Sequence, residues 1–232
     1  MIVFYSQLIN AEFGELSAED SRHCYKVLRK KIGDNITVLD GKGNIHQCKI
    51  IEIERNNVTF TIQSYKHSEP DIYHPTIGMS LLKNTNRFEW FLEKATEIGV
   101  QNIQPLECNR TLKGKFRKDR AEAIVISAMK QSMRAYFPIL NEVKVIKDVL
   151  SNTNYQHKYI CHYALGNPHL LDTLQVGIAS FILIGPEGDF TDEELSIAHQ
   201  NGWQQVNISE SRLRTETAGI TACQIVALKN RG

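Results

Sequence analysis

The sequence predicts an α/β protein in which a small β barrel precedes a parallel sheet covered by helices. The first part of the chain carries short strand patterns joined by tight turns, which is typical of a small barrel. The second part alternates short apolar runs with amphipathic helical patterns, which is typical of a parallel sheet. A polar stretch with two prolines, residues 64–75, separates the two parts and predicts domains at 1–70 and 71–232.

Turn residues and helix signals define the first domain. Ser17 has the position of an N-cap and Gly33 that of a C-terminal stop, so a helix is expected over 17–31. The stretch 40–44 is rich in turn residues and predicts a hairpin, because no helix follows it as a nucleotide-binding loop would require. Strands are expected at 36–39, 45–53 and 58–62.

Capping residues and apolar runs define the second domain. Two capping boxes, Asn86 with Glu89 and Thr191 with Glu194, each predict the start of a helix. The final helix, 217–228, is apolar on nearly every side, so it must be buried in the core or against another copy of the chain. The other expected elements are strands at 77–82, 102–106, 158–163, 181–184 and 205–208, a helix at 119–134, and a peripheral segment at 142–154.

The composition argues against several classes of protein. With 27 basic and 26 acidic residues the net charge is +1, so the overall charge indicates no particular partner. The five cysteines are scattered and form no C-x-x-C pair, which indicates a reducing compartment and no zinc site. The N-terminus lacks the pattern of a signal peptide, and no run approaches the roughly 20 apolar residues of a membrane helix. We therefore expect a soluble, cytoplasmic protein without a metal or a membrane partner.

Two polar loops follow consecutive strands near the C-terminus. Gly185-Pro186-Glu187-Gly188 follows a buried strand, and residues 209–214 follow the next strand. Both loops are expected at the carboxyl edge of a parallel sheet, where open α/β sheets bind ligands. The glycines allow backbone N–H groups to approach a ligand closely, although the tetrapeptide alone is more typical of a simple turn.

Basic residues are concentrated in two segments. The predicted first helix carries Arg22 and Arg29 within a stretch of basic residues, and residues 110–120 carry six basic residues and one acid beside Phe116. Such a run is usually a solvated surface, but two separate basic segments can also contact a phosphate backbone.

The stretch IGPEGDF, followed by LRTETAG, resembles the ribosomal small-subunit methyltransferase E family, whose members are rRNA uridine-N3 methyltransferases of the SPOUT class. Residues 83–111 also match the family pattern, including Lys94, Glu97, Gly99 and Pro105. The resemblance implies a SPOUT-type parallel sheet with a trefoil knot, a PUA-like barrel that binds RNA, and a homodimer. It also implies S-adenosyl-L-methionine as the methyl donor and small-subunit ribosomal RNA, or its particle, as the partner.

The resemblance implies that three loops hold the methyl donor, largely through backbone groups. His162 taken alone is more typical of a hydrogen-bonded structural residue at a strand end. The implied cofactor-binding residues are His162, Tyr163, Leu183, Ile184, Gly185, Pro186, Glu187, Gly188, Ile208, Ser209, Ser211, Leu213 and Thr215.

Methyl transfer to uridine N3 requires a deprotonated imide, and a cation near its carbonyl oxygens stabilises the developing charge. Arg214, in LRTETAG, is the candidate for that cation. Glu216 is a candidate for the base or for a residue that holds Arg214, and an acid that merely favours the helix N-terminus is the alternative. The implied RNA-binding residues are Arg22, Arg29, Lys83, Arg110, Lys113, Arg117, Gln131 and Arg134.

The chain departs from the family pattern at two positions. Asp189 stands where the family commonly has a second glycine, and Asp tolerates the left-handed backbone conformation better than most residues. Lys130 stands where the family usually has Glu, so no acid can act there. Three alternative functions remain open from the sequence: a SPOUT methyltransferase acting on another RNA, a non-catalytic RNA-binding protein of ribosome assembly, and an α/β enzyme that binds another nucleotide or phosphate at the Gly185–Gly188 loop. The third is weakened because the sequence has no G-x-x-x-x-G-K-[ST] motif and no complete G-x-G-x-x-G motif.

Overall fold

The computed structural model describes residues 2–54, 57–70, 75–112 and 116–231, and the chain forms two compact units. The first unit contains Met1–Pro70 and Ile126–Phe137, and the second contains Asp71–Val125 and Pro138–Gly232. The segment Ile126–Phe137 belongs to the first unit although it lies far from that unit in sequence, and the polar stretch at 64–75 gave no sign of this.

The elements of the first unit are β1 (Val3–Tyr5), β2 (Phe13–Glu15), α1 (Ala18–Arg22), a π-helical turn (His23–Val27), β3 (Asn35–Leu39), β4 (Asn44–Glu54) and β5 (Asn57–His67). The strands form one sheet in the order β1-β3-β4-β5-β2, in which β1 and β3 are parallel and the other pairs are antiparallel. The three predicted strands are confirmed, with β5 longer than expected. β1 and β2 were not predicted, because strands of three residues carry too little alternation to be recognised.

The turn between β3 and β4 is a hairpin, as the sequence predicted. The Asp40 carboxylate accepts hydrogen bonds from the backbone N–H groups of Lys42 (2.7 Å) and Asn44 (3.0 Å) and from the side chain of Asn44 (2.6 Å). Burial opposes ionisation of Asp40, but these hydrogen bonds outweigh it and lower the pKa of the carboxyl group below its ordinary value.

The single helix predicted over 17–31 was wrong in its second half. Ser17 is the N-cap, as expected, but α1 passes into the π-helical turn, and Arg29 adopts a left-handed conformation with φ of 53°. Inside the same unit the buried carboxylate of Asp20 accepts a hydrogen bond from Lys130 Nζ at 2.8 Å. Position 130 therefore supplies the cation of an ion pair.

The elements of the second unit are β6 (Thr76–Ser80), α2 (Thr85–Ile98), β7 (Asn102–Glu107), α3 (Lys118–Ser132, which continues into the first unit), β8 (Ile139–Leu140), β9 (Lys144–Val145), α4 (Ile146–Asn152), β10 (His157–Cys161), α5 (Leu170–Thr173), β11 (Ser180–Ile184), α6 (Asp192–Gln200), β12 (Gln204–Val206) and α7 (Thr215–Lys229). The strands form a parallel sheet in the order β12-β10-β11-β6-β7-β8, with β9 also paired to β7. This arrangement confirms the predicted α/β class with a parallel sheet, and the trefoil knot stays a prediction.

The two predicted capping boxes had different outcomes. Thr191 and Glu194 form the predicted box at the start of α6. The box predicted at Asn86 and Glu89 was wrong, because α2 begins two residues earlier, with Asn84 as the N-cap whose side chain accepts from the backbone N–H of Asn86. The Glu89 carboxylate instead bonds to the guanidinium of Arg120.

The segment 142–154 is not peripheral, which corrects the prediction. Ile146, Val149 and Leu150 of α4 are buried in a cluster that includes Trp203. The indole Nε1–H of Trp203 donates to the carbonyl oxygen of Leu150 at 3.0 Å. The short length of α4 hid its apolar face from a periodicity argument.

α7 packs in the core of its own unit, which is one of the two places that its composition allowed. Gly219 is buried, and a Cβ atom added there would lie 2.8 Å from the ring of Phe91 on α2 and 2.9 Å from the sulfur of Met79 on β6. Phe91 and Met79 are both 0% exposed, so neither side chain has room to move aside. The missing side chain at 219 therefore sets how closely α7 can pack on α2 and β6.

This packing predicts that Gly219→Ala destabilises the protein. In an exposed helix the same change is favourable by about 1 kcal/mol, whereas overpacking a rigid core costs about 1–3 kcal/mol. The expected result is a lower midpoint in urea unfolding, whereas helix propensity alone would raise the midpoint. Gln224→Ala, at an exposed position of α7, is the matched control and should leave the midpoint unchanged or slightly raised. A Gly219→Ala protein as stable as the parent would contradict the packing argument.

Within the described ranges, no helix has both the length and the apolar character needed to cross a membrane. The five cysteines are all unpaired, and burial raises the pKa of the Cys24 thiol to about 11 and that of the Cys108 thiol to about 12. The described residues contain no group of three or more His, Cys, Asp or Glu side chains placed to hold a metal ion.

Candidate active site

A cleft of about 760 Å³ lies at the carboxyl edge of the parallel sheet, entirely within the second unit. The strands β10, β11 and β12 end level with one another, because Cys161 pairs with both Ile184 and Val206. The three loops that follow these strands form the walls of the cleft. The residues predicted to bind the cofactor that line it are His162, Tyr163, Ile184, Gly185, Pro186, Glu187, Gly188, Ile208, Ser209, Ser211, Leu213 and Thr215.

Leu183 was also predicted to bind the cofactor, and the structure does not place its side chain in the cleft. Leu183 points to the opposite face of β11 from Ile184. Its side chain is 0% exposed and belongs to the core cluster that includes Trp203. The alternation of side chains along a strand accounts for this difference. Leu183 is therefore a core residue.

The loop after β11 brings its backbone close to the neighbouring loop. Cβ atoms added at Gly185 and Gly188 would lie 3.0 Å from the ring of Phe190 and 3.4 Å from Arg110. Asp189 has φ of 61°, and its N–H donates to the carbonyl oxygen of Pro186 at 3.0 Å. The loop is therefore a tight turn that keeps its shape with Asp at 189, in the left-handed conformation expected for that position.

Arg110 is part of the cleft wall. Its Nη1 donates to the carbonyl oxygens of Gly188 (2.8 Å) and Phe190 (3.1 Å), which fixes the loop after β11. The preceding backbone N–H, that of Asn109, donates to the buried carboxylate of Glu194 at 2.8 Å, so Glu194 anchors the loop after β7 as well as capping α6. Arg110 was predicted to contact RNA. In the structure its guanidinium binds the backbone of the loop after β11, and the contact with RNA stays a prediction.

The loops after β10 and β12 are also joined. The Tyr163 hydroxyl donates to the carbonyl oxygen of Glu210 at 3.2 Å. The Asn207 side chain accepts from the N–H of Ala164 (3.1 Å) and donates to the carbonyl oxygen of the same residue (2.9 Å). Asn207 was not predicted as a site residue, because it fell inside the strand predicted at 205–208 and a single asparagine there carries no distinctive pattern.

Arg87 at the start of α2 connects the cleft to α7. Its guanidinium donates two hydrogen bonds to Glu216, from Nε (2.8 Å) and from Nη2 (2.5 Å), and its Nη1 lies 3.3 Å from the carboxylate of Glu187. Three elements are held by this one side chain: the loop after β11, the start of α2 and the start of α7. Arg87 was not predicted, because its sequence position indicated only the beginning of a helix.

This geometry gives Glu216 a positioning role. Burial raises the pKa of Glu216, but the hydrogen bonds from Arg87 and the charges of Arg87 and Arg214 outweigh burial and lower it below its ordinary value. A carboxylate that is held ionised by a two-point ion pair is a poor proton acceptor. The partner of Glu216 is Arg87, so the alternative in which Glu216 directly holds Arg214 finds no hydrogen bond in its support.

Arg214 is exposed at the rim of the cleft, in the N-cap position of α7. In the part of the chain that the structure describes, its guanidinium makes no hydrogen bond or ion pair of the kind that occupies Arg87 and Arg110. A cation at a helix N-terminus opposes the helix dipole. The position of Arg214 is therefore better explained by contact with a ligand than by a contribution to the stability of α7.

The remaining residues predicted to bind RNA lie outside the cleft. Lys83 is exposed and lines a recess of about 480 Å³ that shares Arg87 and Glu187 with the cleft. Arg117 is exposed and pairs with Asp119 at 2.7 Å. In the first unit Arg22, Arg29 and Gln131 are exposed and Arg134 is half-buried, and Lys113 lies outside the described residues.

The fold and the cleft define a class of protein that the comparisons identify. Residues 69–227 match the family model of an RNA methyltransferase domain, and residues 16–63 match that of an RNA methyltransferase PUA domain. A two-unit chain with an N-terminal PUA sheet and a loop-walled cleft at the edge of a parallel sheet is therefore an RNA methyltransferase by class.

The relatives give the particular family. A ribosomal RNA small subunit methyltransferase E from Mesomycoplasma hyopneumoniae is 32% identical over 175 residues, covering 72% of this chain and 75% of the relative. A crystal structure of a "probable rRNA-methyltransferase" from Porphyromonas gingivalis is 33% identical, with a TM-score of 0.92 over 99% of this chain and 98% of that chain. A ribosomal RNA small subunit methyltransferase E from Neisseria gonorrhoeae, bound to S-adenosyl methionine, is 27% identical, with a TM-score of 0.85 over 97% of this chain and 95% of that chain. The chain belongs to the ribosomal RNA small subunit methyltransferase E family.

Proposed function

We propose that this protein transfers a methyl group from S-adenosyl-L-methionine to N3 of a uridine in small-subunit ribosomal RNA. The observation that carries the proposal is the cleft itself, in which three level strand ends supply three loops. Arg214 lies at its rim without a partner among the residues that the structure describes. Family membership supports the reaction class, and the Neisseria gonorrhoeae relative bound to S-adenosyl methionine supports the donor.

The residues of the cleft fit this donor. A volume of about 760 Å³ can enclose a nucleoside with an amino-acid side chain, since ligand pockets span roughly 300–1,000 Å³. Ile184, Ile208 and Leu213 offer apolar contact for an adenine ring, and the tight loop around Gly185 and Gly188 presents backbone groups to polar atoms. When bound, S-adenosylmethionine supplies a methyl group on a positively charged sulfur.

The protein positions the reacting groups and stabilises charge. The uridine imide proton is released to solvent, to which the cleft is open, and the N3 lone pair then forms the new N–C bond as the S–C bond breaks. Arg214 stabilises the negative charge that spreads to the two carbonyl oxygens, in the manner of an oxyanion hole. Arg87 and Glu216 hold the loops in place, so that the nitrogen and the methyl group meet in line.

The partner RNA contacts a basic surface on each of the two units. Lys83 lies beside the cleft in the second unit, and Arg22, Arg29 and Gln131 are exposed in the first. Cationic side chains on the surface supply phosphate contacts that position an RNA without reading its sequence. The proposed partner is therefore the folded ribosomal RNA or its particle.

A homodimer completes the proposal. Apolar side chains near the end of α7 are exposed, and hydrogen bonds from Lys229 to Leu171 and from Gly177 to Asn230 gather them into one area. An exposed apolar patch of this kind favours contact with another protein surface. The members of this patch are Leu171, Val176, Ile178 and Leu228. Sedimentation equilibrium at micromolar concentration tests the dimer, and a monomer throughout that range would exclude it.

The methyl-transfer proposal is tested with radiolabelled donor and unmodified small-subunit particles. The expected result is one methyl group per particle, recovered as 3-methyluridine after digestion to nucleosides. Recovery of the label in a different nucleoside would contradict the uridine assignment while keeping the enzyme class. Parallel reactions with transfer RNA and large-subunit particles should remain unlabelled.

A further inference from the structure

Asp189 occupies a backbone conformation that favours glycine and yet carries a side chain with two defined contacts. Its φ is 61°, its Oδ1 accepts from the N–H of Phe190 at 2.8 Å, and its Oδ2 lies 3.0 Å from Nδ1 of His162. Because a carboxylate only accepts hydrogen bonds, Nδ1 of His162 carries the proton in this contact. Strained positions that persist in a binding cleft commonly serve the ligand.

The charges around the cleft leave the Asp189 carboxylate available to a cation. Arg87 is held by Glu187 and Glu216, and Arg110 is engaged by backbone carbonyl groups. In the described ranges the ion-pair partner of Asp189 is His162 alone. The Asp189 side chain is 44% exposed and lines the same cleft as the glycine loop.

We propose that Asp189 makes the cleft selective for a cationic methyl donor over its neutral product. This inference rests on the proposed function. The donor and S-adenosylhomocysteine share the adenosine and the amino acid and differ in the sulfur, which is a positively charged sulfonium in the donor and a neutral thioether in the product. A fixed negative charge beside the cleft favours the first, so the product leaves more readily once the methyl group is gone.

Calorimetric titration with three ligands tests the inference without any turnover. The ligands are S-adenosylmethionine, S-adenosylhomocysteine and sinefungin, in which a protonated amine on carbon replaces the sulfonium. In Asp189→Asn the two cationic ligands should bind about five-fold more weakly, the order of magnitude of one nearby unit charge in a water-like dielectric. The Kd of S-adenosylhomocysteine should stay as in the parent protein.

The variant is matched to its purpose. Asn tolerates the left-handed conformation and keeps an oxygen for the Phe190 N–H, but its amide nitrogen replaces the oxygen that accepts from His162, so the variant loses the charge and the His162 contact together. His162→Gln is the control, because it removes the imidazole contact and keeps the carboxylate, so the ratio of the donor Kd to the product Kd should be preserved. The preference for cationic ligands should also weaken as salt is raised.

The other possible results of these titrations distinguish a failure of the inference from a failure of the proposed function. Equal weakening of all three ligands in Asp189→Asn, or no change in any, would overturn the inference while leaving the donor assignment intact. A parent protein that binds none of the three ligands would overturn the proposed function as well, and the two failures are thereby distinguished.

Discussion

Replacement of Arg214 by alanine is expected to lower kcat for methyl transfer by about 10²–10³-fold, the usual effect of removing one donor that stabilises a developing oxyanion. The Kd for S-adenosylmethionine should change less than about two-fold. Arg214 is proposed to contact the uracil ring, so its removal should cost the donor no hydrogen bond. Single-turnover rates on small-subunit particles and calorimetric donor binding give the two quantities separately.

The position of Arg214 adds a second, independent expectation. A cation in the N-cap position of α7 opposes the helix dipole at a cost of about 0.3–1 kcal/mol, so its removal should leave Tm unchanged or slightly raised. Loss of activity without loss of stability separates a catalytic role from a structural one. A fall in Tm that tracks the fall in rate would indicate that Arg214 supports the fold.

Arg212 is the matched control for this experiment. It is exposed and lines the same cleft, two positions earlier in the loop. Arg212 does not adjoin the fixed start of α7, so Arg212→Ala should keep most of the rate. If the two alanine variants lose activity equally, the cleft provides a general positive field and Arg214 has no particular role.

The parts of the site that could be predicted are those encoded in neighbouring residues. The loop Gly185–Gly188 and the capping box at Thr191 and Glu194 each combine turn or cap chemistry within a few positions. Such patterns predict both a local shape and its place at the sheet edge. This is why most of the predicted cofactor residues line one cleft.

The parts that could not be predicted depend on distant residues or on short elements. Arg87 and Glu216 are separated by 129 positions, and nothing local to Arg87 indicates its partner. The Leu183 side chain lies in the core because side chains alternate along the strand between the cleft and the core, and a role of Leu183 in binding the cofactor stays a prediction. The contact between Asp189 and His162 joins two loops whose approach follows from the strand order alone.

Replacement of Arg87 by alanine is expected to destabilise the protein and to weaken donor binding together. The change leaves the Glu216 carboxylate, with a side chain only 8% exposed, without its two-point partner. Breaking a buried ion pair costs about 3–5 kcal/mol, and about 2–3 kcal/mol is reasonable here because Arg87 itself is 26% exposed. The expected fall in Tm is about 5–10 °C for a chain of this size.

The pH dependence has a defined sign. The pKa of Glu216 is lowered from its ordinary value of 4.5, so the pair stabilises the fold above that value and the stabilisation is lost as the pH falls through the lowered pKa. The difference in unfolding free energy between the parent and Arg87→Ala should therefore be largest near pH 7. It should shrink as the pH falls below the ordinary carboxyl value. A constant difference across this range would show that the contact contributes through packing alone.

Two further variants separate the contribution of the ion pair from its geometry. Arg117→Ala removes an exposed arginine whose partner Asp119 is also exposed, with side chains 65% and 70% accessible, and surface pairs of this kind contribute little to stability because solvent screens them. Its Tm should match the parent. The double variant Arg87→Met with Glu216→Leu should regain stability, because it leaves no unpaired buried charge between α2 and α7. It should still bind the donor poorly, because the salt bridge from Arg87 to Glu187 is lost. Recovery of both properties would show that the loop after β11 keeps its shape without Arg87.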